Sequence, residues 1–268
     1  MSKSIFTYES PEKPSDCLYM ISPSMLSKFF DYPRVWYDEE YLGNPRNFKG
    51  NTSTFIGTIC HYIYRCVTEG SPVSRESINE DLISYIQNNP NPDVVTAEVL
   101  QDYPLVSKAV VNNYILPIGR SNVWDNIGTN IKCEFTVQGL VKATSAGGYY
   151  VGGTCDRLEN DIVCDYKTVA KLPNKMAIPF GYKIQLLSYA YALTQEGYDI
   201  NYIRIIYGVR PTKTLDARCV VVTEQITDEM WKLIDDTLLL VAETVDTVRQ
   251  QPEMAYLLFK SYDLKGKK

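Results

Sequence analysis

Asp156, Asp165 and Lys167 stand close together in GGTCDRLENDIVCDYKT, residues 152–168. Carboxylates on either side of a turn can share a proton, hold a cation or work on a water, and an ammonium beside them can neutralise or orient a negative group. Ile162, Val163 and Cys164 are strand-like, and Asn160-Asp161 is the polar pair a two-residue hairpin turn prefers. With that turn, Glu159 faces Ile162, Leu158 faces Val163, Arg157 faces Cys164 and Asp156 faces Asp165. Lys167 then shares a face with Asp165, because strand side chains alternate with period two. Directly opposed carboxylates have Cβ atoms roughly 5 Å apart. At an effective dielectric near 20 they repel by about 3 kcal/mol. A shared proton, a nearby cation or full exposure to water must offset that. A register slip of one residue would move one aspartate to the other face.

The second strand carries Ile162, Val163, Cys164 and Tyr166 on both of its faces, as a strand covered on both sides does. Charges in such a strand need partners, so the pattern points to a metal site rather than a solvent-facing hairpin of two acids and a base. His61, the single histidine, lies on FIGTICHYIYRCV. There Ile56, Ile59, Ile63 and Val67 form an apolar stripe, and at about 100° per residue His61 falls opposite it, beside Gly57, Arg65 and Thr68. That leaves two readings, a surface residue or a ligand. Gln185 and Tyr189 are four apart and share a helix face beside the stripe of Leu186, Ala190 and Leu193. Glu134 alternates with Cys133 and Phe135 and reads as a solvated strand residue.

These side chains need a scaffold of mixed type. Residues 1–20, with Pro11 and Pro14, read as irregular. A helix is expected from Ser22-Pro23, serine as cap and proline in the first turn, interrupted near Pro33 and resuming over RVWYDEEYL. A Gly/Asn/Pro-rich loop leads to a helix from about Phe55 to Glu69, stopped by Gly70. Two or three further helices follow, with Pro90, Pro92, Pro104 and Pro117 as punctuation. Beyond Asn130 the order becomes βββ-α-ββ-α, with Gly197 stopping the first of these helices and Thr227 capping the last. The expected class is α/β (α+β), a mixed central β-sheet flanked by helices. One domain is expected: a mainly helical region over 1–130, a core over 131–250 and a tail over 251–268.

Composition narrows the function. Apolar residues make up 45% and charged residues 22% of the 268, an ordinary balance for a soluble globular chain. No apolar run approaches the ~20 residues of a membrane span, and MSKSIFTYESPEKPSD lacks the apolar core of a secretory signal. Seven scattered cysteines with no CxxC pair read as reduced thiols in a cytoplasm-like compartment. A net charge of −5 argues against a general basic nucleic-acid binder, though not against a local groove with a bound metal. The basic end LKGKK reads as solvated. A GxxxxGK[ST] phosphate loop is missing, so any helicase or ATPase would be a separate protein.

The succession SPSMLSKFFDYP, GTICH, GGTCD, DYKT and QLLSYAYAL, over about residues 22 to 195, resembles the RecB-type exonuclease branch of the PD-(D/E)XK nuclease superfamily. The resemblance implies that fold, and a metal-dependent DNA exonuclease of phage or bacterial recombination, repair or replication, cytoplasmic and in the host's cytoplasm if phage-encoded. By resemblance His61, Asp156, Asp165 and the Tyr166 carbonyl would bind one or two Mg²⁺ or Mn²⁺ ions. Lys167 would orient or deprotonate the attacking water, Gln185 and Tyr189 would support the site and contact DNA, and Glu134 matches an acidic strand position. Two departures stand out. The family often has an acid four residues after the histidine, where this chain has Arg65. Relatives with an iron–sulfur cluster carry a cysteine where Tyr32 stands and a cysteine trio near the C-terminus, so no cluster is expected here.

The substrate expected is linear double- or single-stranded DNA, with a homo-oligomer or a recombination or replication partner and no membrane. The alternatives are a flap-cleaving or CRISPR-adaptation-like endonuclease, a non-catalytic DNA-binding assembly module, and a metal-stabilised structural protein.

Overall fold

A computed structural model describes residues 10–44, 51–88, 92–120, 131–173 and 176–260. Its centre is a six-stranded mixed sheet of β1 (Cys17–Ile21), β2 (Ile131–Thr144), β3 (Gly147–Glu159), β4 (Ile162–Val169), β5 (Tyr202–Val209) and β6 (Arg218–Gln225). The path runs β1-β3-β4-β5-β6, with β2 on the other edge of β3. The hairpin forms in the expected register, pairing Arg157 with Cys164, Leu158 with Val163 and Glu159 with Ile162. Asn160 takes the left-handed conformation (φ 53°) that asparagine tolerates in such turns.

The ladder ends there. The expected pair of Asp156 opposite Asp165 does not form: the β3–β4 pairing stops at Arg157 and Cys164, while β4 stays paired along its other edge with β5 from Ile162 to Val169. On the same edge of β3, residues 148–151 pair with β1, while β2 follows the opposite edge from Gly147 to Glu159. Residues 152–156 therefore have no strand partner on one edge.

Helices cover both faces. On one face, α1 (Leu26–Asp31), α7 (Phe180–Gln195) and α8 (Asp228–Gln250) bury Ile184, Leu187, Leu238 and Val241 against Val151 and Val163. On the other, α3 (Thr52–Thr68), α4 (Arg75–Gln87) and α5 (Pro92–Val110) bury Phe55, Ile59, Val99 and Val106 against Cys164, Tyr166 and Ile206. Alternation along β4 thus assigns Asp165 and Lys167, in step with Val163, to the α7 side. Beneath the hairpin lies a largely buried charged cluster. Arg157, fully buried, donates to Glu159 at 2.5 Å and to Thr68 Oγ1 of α3 at 3.0 Å, and Glu159 also accepts from Arg204 at 2.7 Å and Tyr114 at 2.5 Å.

Four expectations change. Residues 17–21, read as irregular, form β1, because pairing to β3 outweighs the nearby prolines. Pro104 does not punctuate: α5 runs through it for 19 residues. Helix α3 starts three residues before Phe55, since the Asn51 side chain accepts from Thr54 N–H at 3.0 Å and caps it. Its buried residues are Phe55, Ile56, Ile59, Cys60, Tyr64 and Cys66, with Ile63 and Val67 only half-buried, so the stripe is broader than expected and His61 remains roughly opposite its centre. The remaining segments are short: α2 (Pro33–Trp36), α6 (Leu116–Arg120) and α9 (Met254–Lys260), with π-helical turns at Tyr37–Tyr41 and Val111–Ile115. The expected resumption after Pro33 is seen, whereas Pro90 and LKGKK lie outside the described residues. Among the described residues no helix is long and apolar enough to cross a membrane.

Gly208 of β5 shows how closely α3 and α5 sit on the sheet: a Cβ there would lie 2.7 Å from Val106 Cγ1 and 3.1 Å from the Tyr64 hydroxyl. Gly208→Ala is expected to lower unfolding stability by about 1–3 kcal/mol through overpacking. A urea denaturation midpoint equal to wild type would show that the helices yield without cost.

Candidate active site

Asp156 takes over where the ladder stops. Its Oδ2 accepts the Tyr166 backbone N–H at 2.8 Å, so a side chain caps the donor that a strand partner would otherwise use. His61 reaches the same point from α3. Its Nε2 donates to the Tyr166 carbonyl at 2.9 Å and its Nδ1 lies 3.5 Å from Asp156 Oδ2. The ring packs edge-on against Tyr166, with centroids 5.7 Å apart. Tyr166 thus offers its N–H to one candidate ligand, its carbonyl to another and its ring to the helix that carries the histidine.

Asp165 is buried, 2% exposed, and lies on the α7 side as alternation requires. Lys167 Nζ donates to Asp165 Oδ1 at 3.0 Å and stands 2.7 Å from Oδ2. Gln185 of α7 donates to Oδ1 at 3.3 Å and accepts from Lys167 at 3.4 Å. Oδ2 has that cation beside it but no aligned hydrogen-bond donor. Burial raises the pKa of Asp165, with Lys167 opposing and Asp156 reinforcing. Burial on its own would lower the pKa of Lys167, yet the Asp165 and Asp156 charges outweigh it and raise the value, so the amine is an ammonium at neutral pH. Burial likewise raises the phenol of Tyr189 well above its usual range, with the Asp156 charge adding to the effect and Gln185 opposing it.

Glu134 is not solvated. Its side chain is 8% exposed and accepts from Arg65 Nη1 at 2.8 Å. In β2, Cys133 pairs with Arg157 and Phe135 with Cys155, which sets Glu134 beside Asp156, out of the ladder and left-handed (φ 42°). A non-glycine residue held there costs about 1–3 kcal/mol, and such strain collects at functional sites. Burial raises the carboxyl pKa, and Arg65 and His61 pull it back.

A cavity of about 600 Å³ joins these groups, lined by His61, Asp156, Asp165, Lys167, Gln185 and Tyr189. Neither Glu134 nor Arg65 lines it. Its far wall is the unpartnered edge of β3 together with Ser22 and Ser24. Gly152 keeps that wall open, since a Cβ would meet Met20 Sδ at 2.7 Å and the Val137 carbonyl at 3.0 Å. Ser22 makes no capping bond, contrary to expectation; its hydroxyl lies 3.2 Å from that of Ser24. The repeated serine of SPS was the one sign that it faced a cavity, and it equally fits a cap.

The site therefore follows a broken strand edge with an Asp on one side, an Asp-x-Lys on the other, and helices supplying His and Gln. Residues 20–255 match the model of the PD-(D/E)XK nuclease superfamily. The chain belongs to that superfamily. Among solved structures it is similar to a provisionally assigned exonuclease of Eubacterium rectale, at 15% identity over 86% of this chain and 81% of that one, with a TM-score of 0.52, a likeness of fold. An alkaline exonuclease of Laribacter hongkongensis matches at 10% identity over 79% of this chain and 98% of that one, with a TM-score of 0.31. No curated protein matches the chain. The mixed sheet with flanking helices is the fold expected of this nuclease.

Nucleases of this superfamily generally use divalent metals. The donors here fit such an ion: a buried carboxylate oxygen of Asp165 without an aligned hydrogen bond, a second carboxylate and an imidazole, all on one cavity. Among the described residues no three His, Cys, Asp or Glu side chains already converge to hold one, since the carboxylates are turned to Lys167, Arg65 and Tyr166 N–H.

The two duties of Asp156 are separable. Asp156→Asn keeps an oxygen for Tyr166 N–H and is expected to stay within about 1 kcal/mol of wild-type stability, whereas Asp156→Ala strands that donor and costs about 1–3 kcal/mol. Equal urea midpoints for the two variants would remove the capping role.

Proposed function

We propose that this nuclease is a metal-dependent DNA exonuclease that hydrolyses phosphodiester bonds. The observation that carries the reading is the buried Asp165 carboxylate, bracketed by Lys167 and Gln185 and sharing one cavity with Asp156 and His61. Burying that charge is unfavourable unless a cation compensates it, and a structural role alone gives no reason to line a cavity with it.

His61 through Nδ1, Asp156, Asp165 and the Tyr166 carbonyl would hold Mg²⁺ or Mn²⁺. A bound divalent ion supplies Lewis acidity at the phosphate and lowers the pKa of a coordinated water. Lys167, held as an ammonium, does not take a proton at neutral pH; it orients the attacking water and steadies negative charge building on the phosphate. Gln185 fixes the Asp165–Lys167 pair. Tyr189 backs the cavity wall as a neutral phenol. The seven free cysteines suit a reducing, cytoplasm-like compartment. Recombination, repair or replication is the setting such an activity serves, alone or as an oligomer with partner proteins.

Lys167→Ala is expected to keep Mn²⁺ binding and lose most cleavage, and Asp165→Ala to lose both. Calorimetric titration paired with digestion of end-labelled linear and closed circular DNA, with and without metal, checks this. Metal-dependent loss of linear DNA alone supports the exonuclease. Nicking of the circle would make the enzyme an endonuclease, and DNA binding without cleavage a non-catalytic module. Full turnover by Lys167→Ala would remove the lysine from the mechanism.

A further inference from the structure

We propose that the Arg65–Glu134 ion pair withdraws Glu134 from metal coordination and makes this a site for a single divalent ion, with the Arg65 guanidinium standing where a second cation would be drawn. The inference rests on the metal-dependent reading above and concerns how many ions that site takes.

Asp156 lies close enough to both Asp165 and Glu134 for its charge to act on each. Three carboxylates beside one lysine are a donor set that two divalent ions commonly bridge. Arg65 changes the count. It follows His61 by four residues on α3 and so projects from the same face, which brings a permanent cation to the ligand side of the helix. Its Nη1 lies 2.8 Å from Glu134 Oε2. The guanidinium is also seated over the Tyr62 ring, 5.7 Å from its centroid, and the Tyr62 hydroxyl is in turn fixed by accepting Ser74 N–H at 2.9 Å. Arg65 is therefore held from two sides rather than loosely paired.

The backbone points the same way. Glu134 leaves the β2 ladder in a left-handed conformation, and its Oε2 accepts from Arg65. Asp156, its neighbour across the ladder, lines that cavity, while neither Glu134 nor Arg65 does. Formal charge agrees. Three carboxylates against Arg65 and Lys167 leave a single negative charge. One divalent ion turns it into a single positive charge, enough to draw a phosphodiester. A second would leave three positive charges around one buried aspartate, an arrangement opposed by repulsion between the ion and the guanidinium.

The test is Mn²⁺ binding by calorimetry, with electron paramagnetic resonance to detect paired ions through their spin coupling. Wild type is expected to take one uncoupled ion per chain. Arg65→Glu is expected to take two with a coupled signal, and Arg65→Gln, which removes the charge with a smaller change, to admit the second ion more weakly. Glu134→Gln should bind one ion with its affinity reduced by less than roughly tenfold, the smallest loss expected on removing a group that supports a metal. Should Arg65→Glu not fold, as judged by circular dichroism, Arg65→Gln decides. Two ions in wild type, one ion in both Arg65 variants, or a loss well beyond tenfold in Glu134→Gln would overturn the inference while leaving the nuclease reading standing. Absence of any Mn²⁺ binding by wild type, with DNA left uncut, would overturn both.

Discussion

Strand β3 changes neighbours part-way along one edge, and most of the site depends on that change. Where β1 ends and β4 has not begun, five residues of β3 face no strand, and an open backbone edge inside a protein must be satisfied or kept wet. Asp156 closes one end of the gap by accepting Tyr166 N–H. The rest stays open as a cavity wall, with Gly152 keeping it clear. A continuous ladder would have placed Asp156 against Asp165 and left no room between them. The splay turns two mutually repelling carboxylates into opposite walls of one hollow.

Holding those walls apart takes buried charge at two levels. Under the hairpin, Arg157, Glu159 and Arg204 form a closed set that also ties in Thr68 of α3 and Tyr114. Removing Glu159 would leave two guanidiniums uncompensated under the hairpin, so the hairpin and α3 keep one relative position, and His61 keeps its distance from Tyr166. Above it, Lys167 and Gln185 brace Asp165 from the α7 side. The lower set gathers two guanidiniums around one carboxylate and does not line the cavity. The upper one leaves Asp165 Oδ2 without an aligned donor on a cavity. That difference marks the lower cluster as scaffold and the upper one as the place for a ligand.

The sequence made legible what local rules determine. Period-two alternation and an Asn-Asp turn set the hairpin register to the residue, and the caps and stops at Thr227, Gly70 and Gly197 fell where expected. It hid what depends on distant pairing. The β3–β4 ladder stops at Arg157 and Cys164 while β4 stays paired to β5, some forty positions away, and no pattern near Asp156 announces the stop. Glu134 looked solvated because alternation alone cannot show that its strand leaves the ladder there or that Arg65 waits opposite. Residues 17–21 looked irregular because their partner lies far along the chain. Pro104 looked like a break because propensity is local, whereas burial of Val99, Val106 and Val110 on one face carries α5 through it.

Net charge completes the physical picture. A chain carrying −5 does not attract a polyanion through its overall field. On the proposed reading the pull must come from short range, from Lys167 and a bound ion facing the phosphate. The cavity walls suit that. Besides the larger hollow with Ser22 and Ser24, a smaller one of about 250 Å³ lies beyond His61 and Lys167, lined by Ser53, Thr58 and Thr168. On that reading, hydroxyls on both sides of the ridge of His61 and Lys167 meet sugar and phosphate oxygens without reading base edges, which carry the sequence information. Such a site grips a backbone only where it reaches the ridge, and discrimination then falls to how a strand is led there rather than to its sequence.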